Sequence, residues 1–209
     1  MSHLPEPPER RDPAGLAVLL LILVTGVPAA VFVLPNTASY VVPLAARDMG
    51  LSDGQAAGFV RAAGLALPAL LLATPLAAVL ARRRSAWSVL FAGLALLLGA
   101  QASAAYATSV PLTGLVRAIQ GAGAGAVLPA ALLLARERRE RRFAVGVWAA
   151  ALTAALMLAT PAVLAATPDA LNPPAWRAIL HPYWWLGATA FVGAGLLGLL
   201  RLRPATGEG

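Results

Sequence analysis

The sequence predicts an all-α membrane protein with six transmembrane helices, and three observations predict it. Of its 209 residues 59% are apolar, with a mean hydropathy of +0.76, well above the about 45–50% apolar content of soluble domains. Six stretches reach or approach the ~20 apolar residues that carry a helix across a bilayer core. The arginines crowd into alternate connections between those stretches.

The first span is predicted from Gly15 to about Leu34, continuing through the more polar PNTASYVVP to Pro43. Arg10 and Arg11 ahead of it resemble the start of a signal peptide, but the apolar stretch is long enough to span and no small-residue cleavage site follows, so it is read as retained. The second span covers Ala56 to Ala81, opened by Ser52 and Gln55 at capping-box spacing. The third covers Trp87 to Ala107. The fourth covers Leu112 to Ala135, with Pro111 at its start, where a missing N–H costs least. The fifth runs from Phe143 to Ala166 and the sixth from Tyr183 to Leu200, with Tyr183, Trp184 and Trp185 as an interfacial belt. Interior prolines (Pro28, Pro68, Pro75, Pro129, Pro161) are tolerable because neighbouring helices re-satisfy the freed carbonyls.

Charge placement sets the expected topology. Arg10 and Arg11, Arg82, Arg83 and Arg84, the run Arg136, Arg138, Arg139, Arg141 and Arg142, and Arg201 and Arg203 all fall on one side of the membrane. The other side has Arg47 and Arg177. The positive-inside rule then places both termini in the cytoplasm. The expected organisation is a tail over 1–14, a six-helix lobe over 15–203 and a tail over 204–209, in the plasma or inner membrane. The run RERRERR reads as a solvated topogenic loop against anionic headgroups, too short and too confined between spans for nucleic acid.

Chemistry classes fall away one by one. The chain has no cysteine and no lysine, which excludes disulfides, thiolate chemistry, Schiff bases and a P-loop lysine. All nine acidic residues lie in tails or loops, and neither His3 nor His181 lies inside a span. An intramembrane serine protease lacks its histidine, and a metal hydrolase lacks ligands. No enzyme, cofactor or metal is expected. The spans do hold polar residues: Asn36, Thr37, Ser39 and Tyr40 at the end of the first, Arg61 in the second, Arg117 and Gln120 in the fourth, Thr153 and Thr160 in the fifth. Arg61 is read as snorkelling to the headgroups. An intramembrane charge is costly and tends to face a bundle interior. Gly121, Gly125 and Pro129 recur every four residues and form a stripe for close helix approach, on which Arg117 also lies, while Gly123 thins the opposite side.

The segment RAIQGAGAGAVLP resembles the fourth-helix signature of the major facilitator superfamily, Arg-x-x-Gln-Gly-x-Gly, with Arg117, Gln120, Gly121 and Gly123 in register. RDMGLSDGQ, PLAAVLARRR, FAVGVW and PAWRAILHPYWWLG resemble, in order, further stretches of the N-terminal six-helix half in the drug/proton antiporter branch with fourteen helices. The resemblance covers about residues 15 to 203. It implies a lobe of two inverted three-helix repeats that binds a small apolar or amphipathic compound, with Asn36, Tyr40, Arg117 and Gln120 as cavity wall, Gly121, Gly123 and Gly125 as packing motif and Arg82, Arg83 and Arg84 in the loop motif. It also implies efflux, and a second six-helix lobe as homo- or heterodimer partner. The alternative is a non-transporting lobe that scaffolds or regulates another membrane protein.

Departures from the family pattern are specific. Arg82 stands where the loop motif has an aspartate, and no carboxylate accompanies Val33, Leu34, Pro35 and Asn36 in the first span. Ala155, Ala159, Thr160 and Pro161 are a displaced form of the antiporter motif. Arginine stays protonated throughout the physiological range, so this half offers no group for proton loading. What balances Arg117 is the question left to the tertiary structure.

Overall fold

The computed structural model describes residues 13–165 and 173–202. Most of the predicted tails, with Arg10, Arg11 and Arg203, lie outside them, as does Asp169. The α-helices are α1 (Pro13–Phe32), α2 (Ala38–Met49), α3 (Asp53–Ala63), α4 (Ala66–Arg83), α5 (Ala86–Ser103), α6 (Val110–Arg136), α7 (Arg141–Ala165) and α8 (Trp184–Leu202). Short 3-10 helices cover Ala104–Tyr106 and Pro173–Leu180. Six of these segments are long and apolar enough to cross a membrane, counting Asp53–Arg83 as one and taking the last from Trp176 to Leu200.

Local chemistry explains the helix ends. The Ser52 backbone N–H donates to Gln55 Oε1 at 2.9 Å as α3 begins, the reciprocal half of a capping box. Ser85 and Ser109 accept from the backbone N–H groups of Ser88 and Leu112 to open α5 and α6. Helix α2 stops at Gly50, whose φ of 63° is the left-handed cap conformation that glycine adopts without steric cost.

Two predicted helices are broken where continuity was expected. The first span does not run on to Pro43: α1 ends at Phe32, and residues 33–37 form a non-helical break before α2. Pro35 causes it, because it disfavours helical backbone at Leu34 and lacks an N–H of its own. The second span is divided at Gly64 and Leu65 into α3 and α4. Pro68 lies four residues after Gly64, so it supplies no N–H to the Gly64 carbonyl, and its ring crowds that oxygen. The chain tightens into a 3-10 turn instead, with Gly64 N–H bonded to Val60 and Arg61 and Leu65 N–H bonded to Ala62.

Packing has an internal two-fold character. Helix α1 packs on α6, α7 and α8, and α6 packs on α1, α3–α4 and α5, apart from a lighter contact of α6 with α7 that has no counterpart on α1. Exchanging the first three spans with the last three converts one set of partners into the other, with α5 on α8 mapping to itself. That is the arrangement of two inverted three-helix repeats. The two central spans, α1 and α6, have 56% of their most apolar window buried, whereas α3–α4 has 22% and α7 17%. The core is built from Leu19, Ile22 and Leu23 of α1, Leu90, Leu94 and Leu97 of α5, Val127 and Leu134 of α6, and Leu197 of α8.

Lipid tails are as apolar as these side chains, so close packing rather than water exclusion holds such helices together. Small residues make it possible. A Cβ on Gly121 would sit 2.0 Å from the Ala66 carbonyl oxygen, and one on Gly125 would sit 2.8 Å from that of Leu70, so both abut α4. Across the helix, a Cβ on Gly123 would meet the Gly93 oxygen of α5 at 2.8 Å.

Candidate functional site

The polar residues of the first and fourth spans converge at the two helix breaks. Arg117 lies two turns into α6 and is 2% exposed. Its Nε donates to the Ala63 carbonyl at 2.7 Å, Nη2 to the Pro35 carbonyl at 3.1 Å, and Nη1 to Gln120 Oε1 at 3.1 Å. Gln120, fully buried one turn along the same helix, donates through Nε2 to the Leu180 carbonyl at the end of the second 3-10 helix.

Each accepting carbonyl is free for a physical reason. In an uninterrupted helix Ala63 would accept from Leu67; the turn at Gly64 and Leu65 puts Ala63 at a helix C-terminus instead. Pro35 lies in the break after α1. Helix C-termini expose carbonyls without intrahelical partners and carry partial negative charge. A buried cation therefore meets one helix C-terminus, a carbonyl of the break after α1 and an amide oxygen rather than a carboxylate. The planar fork of arginine supplies donors in fixed divergent directions, which suits three acceptors on three chain segments.

Asn36 joins the same assembly. Its Nδ2 donates to the Val60 carbonyl at 3.0 Å, and its Oδ1 accepts from the Ala38 N–H at 3.3 Å. The amide thus bridges the break after α1 to the last turn of α3 while opening α2. A Cβ on Gly64 would sit 2.9 Å from Asn36 Nδ2, so this approach requires a glycine there. Tyr40 is placed apart, 69% exposed on α2. Arg61 is exposed, and its Nε donates to the Ala57 carbonyl of its own helix at 3.3 Å. Arg82, Arg83 and Arg84 are exposed at the end of α4. Among the described residues, no three His, Cys, Asp or Glu side chains group in a way that could hold a metal ion.

A neighbouring cluster escaped sequence reasoning. Asp48, expected in a loop, sits in the last turn of α2 and accepts from Trp176 Nε1 at 2.9 Å and from Arg177 Nη2 at 2.7 Å. Trp176 is fully buried, edge-on to Phe59 of α3 with centroids 5.3 Å apart. The available signal was that RDMG and PAWRA were both expected on the side with few arginines. The 3-10 helix from Pro173 to Leu180 is thereby pinned from both sides, by Asp48 of α2 and by Gln120 of α6.

No protein-family model matches the sequence, and no curated protein matches it. Among solved structures, the chain is similar to the proton:xylose symporter XylE of the major facilitator superfamily, bound to 6-bromo-6-deoxy-D-glucose, with a TM-score of 0.62 at 18% identity. The match covers 87% of this chain and 44% of that one. The fold is that of one major facilitator lobe. At this identity the likeness concerns fold, and this lobe spans less than half of the matched transporter's length. Within the lobe, the fourth-helix residues Arg117 and Gln120 bond to the break after the first span, to the break in the second and to the 3-10 helix that precedes α8.

Proposed function

We propose that this chain is one lobe of a membrane transporter that exports a small apolar or amphipathic compound across the plasma or inner membrane. A second six-helix lobe completes it. The observation that carries this reading is the likeness to a transporter of which the match covers 44%, leaving room for a facing half. The lightly buried faces of α3–α4 and α7 support it, because a lobe presents apolar helix surface both to lipid and to its partner. Asn36 and Tyr40 are the accessible residues of the proposed cavity wall, with Arg117 and Gln120 behind them holding the helix breaks in place. The drug/proton antiporter branch remains the proposed affiliation, and the arginine-rich end is the proposed cytoplasmic side.

A second reading is supported by a separate observation. The Arg117 guanidinium is buried and its hydrogen bonds go to neutral oxygens at the helix breaks. That is the behaviour of a structural cation, and it favours a non-transporting lobe acting as scaffold or regulatory subunit.

One experiment separates the two. Cells producing the full chain are crosslinked, the complex is purified in mild detergent and reconstituted, and flux of ethidium, a lipophilic cation, is followed. The transporter reading expects a complex of two lobes and flux above empty liposomes. A strictly monomeric protein with no partner would overturn the two-lobe model. A complex without flux of ethidium or of an uncharged amphipath would favour the scaffold.

A further inference from the structure

A groove of about 420 Å³ opens on the outside of the lobe where α4 and α5 diverge over α6. Both helices pack extensively on α6 and little on each other, and the slot has a floor and inner walls of small residues, Ala73, Ala92, Gly93 and Ala126, between rims of Leu76, Leu80 and Leu96. Its lining is apolar along its length except at one end, where Arg84 and Ser88 stand. From Ala73 to Arg84 the groove follows α4 for roughly 16 Å at 1.5 Å per residue. That is close to half of the ~30 Å hydrocarbon core, or one leaflet.

We propose that this groove is a binding site for one anionic phospholipid, with an acyl chain lying between α4 and α5 and the headgroup phosphate on Arg84. Three arguments converge on that occupant. An unfilled slot facing a bilayer forfeits dispersion contacts along its whole lining, so hydrocarbon fills it. A helix of a second lobe laid over the groove would leave its arginine end without an anion, whereas an acyl chain carrying a phosphate matches both the apolar length and the basic end of the lining. Arg84 and the exposed Arg82 and Arg83 give the mouth three positive charges at headgroup depth, where each arginine attracts anionic lipid by about 1 kcal/mol, roughly fivefold. The connection between α4 and α5 is then a lipid-reading element, independent of whether the lobe transports.

The test measures lipid retained by the full chain. Protein purified in a non-ionic detergent is exchanged into equal amounts of phosphatidylglycerol and phosphatidylcholine of matched chain length, and bound lipid is counted by native mass spectrometry. The expected result is preferential retention of one phosphatidylglycerol per chain. Arg84→Gln lowers that retention about fivefold, as one arginine's share of the attraction, and Arg84→Lys keeps it. Ala92→Phe, at an exposed position that lines the groove, lowers retention while leaving every charge in place. Neutralising Arg136, Arg141 and Arg142 together lowers retention less than Arg84→Gln does alone. Equal retention of the two lipids overturns the proposal, as does retention indifferent to Arg84→Gln and Ala92→Phe. So does an equal loss on neutralising the other three arginines, which would mean bulk charge attraction. Quantitative disulfide crosslinking of an Ala92→Cys variant to itself also overturns it, because a second copy would then cover the groove.

Discussion

The Nε of Arg117 lies 2.7 Å from the carbonyl oxygen of Ala63, the last residue of α3. That contact joins the fourth span to the break in the second, and Nη2 joins it to the break after the first through Pro35. Removing the guanidinium would leave the buried Ala63 carbonyl without this donor, costing about 1–3 kcal/mol.

Arg117→Lys tests whether fork geometry or charge matters. An ammonium keeps the charge but lacks a fork spanning Ala63, Pro35 and Gln120 together. The expected outcome is a loss of about 1–3 kcal/mol, one or two buried acceptors, read as a lower midpoint of thermal unfolding in detergent. Arg117→Met should cost more than Lys. Equal stability of Arg117→Lys and the parent chain would show that the three-way contact contributes nothing.

Gly121→Ala tests the close approach of α6 to α4. The added Cβ would stand 2.0 Å from the Ala66 backbone oxygen, so a helix must shift, and overpacking of this kind costs about 1–3 kcal/mol. Gly146→Ala on α7, where a Cβ meets nothing within 4 Å, is the control and should be neutral or slightly stabilising through helix propensity. Comparison of the two midpoints checks both.

Asp48 separates a hydrogen bond from an ion pair. Asp48→Asn keeps an acceptor for Trp176 and loses the charge opposite Arg177, so a small loss of about 0–1 kcal/mol is expected at this partly exposed pair. Asp48→Ala leaves the buried indole N–H unpartnered and should cost about 1–3 kcal/mol. Tryptophan emission should shift for Ala and hold for Asn, because Trp176 leaves its buried site only when unpartnered.

Orientation is open to direct labelling, since the chain has no cysteine of its own. Thr108 and Arg139 are exposed in connections at opposite ends of the bundle. With both termini cytoplasmic, Thr108→Cys should react with a membrane-impermeant maleimide in intact cells, and Arg139→Cys only after permeabilisation. The reverse pattern would invert the topology expected from arginine placement.

Much of the fold was legible because a bilayer imposes a length and a composition on each spanning helix, and six stretches meet both. The helix starts at Ser52 and near Pro111 were legible for local reasons, since capping and proline placement depend on residues a few positions apart. The breaks were not. Pro35, in the polar continuation predicted for the first span, and Pro68 mark the breaks, whereas Pro28, Pro75, Pro129 and Pro161 lie within continuous helices. Whether a proline breaks a helix or is accommodated in it depends on how the neighbouring helices pack around it.

The sequence by itself determined the solvent, the six spans, the alternation of charge and the presence of an unpaired arginine beside a glycine stripe. Those properties are local or additive along the chain. Only the tertiary structure decided what balances Arg117: the carbonyls of Ala63 and Pro35, which are 54 and 82 residues away, and Gln120, whose amide reaches Leu180. Backbone oxygens are the same at every position in a sequence. Their availability is created by where helices stop, and the direction in which they point is set by how the helices pack.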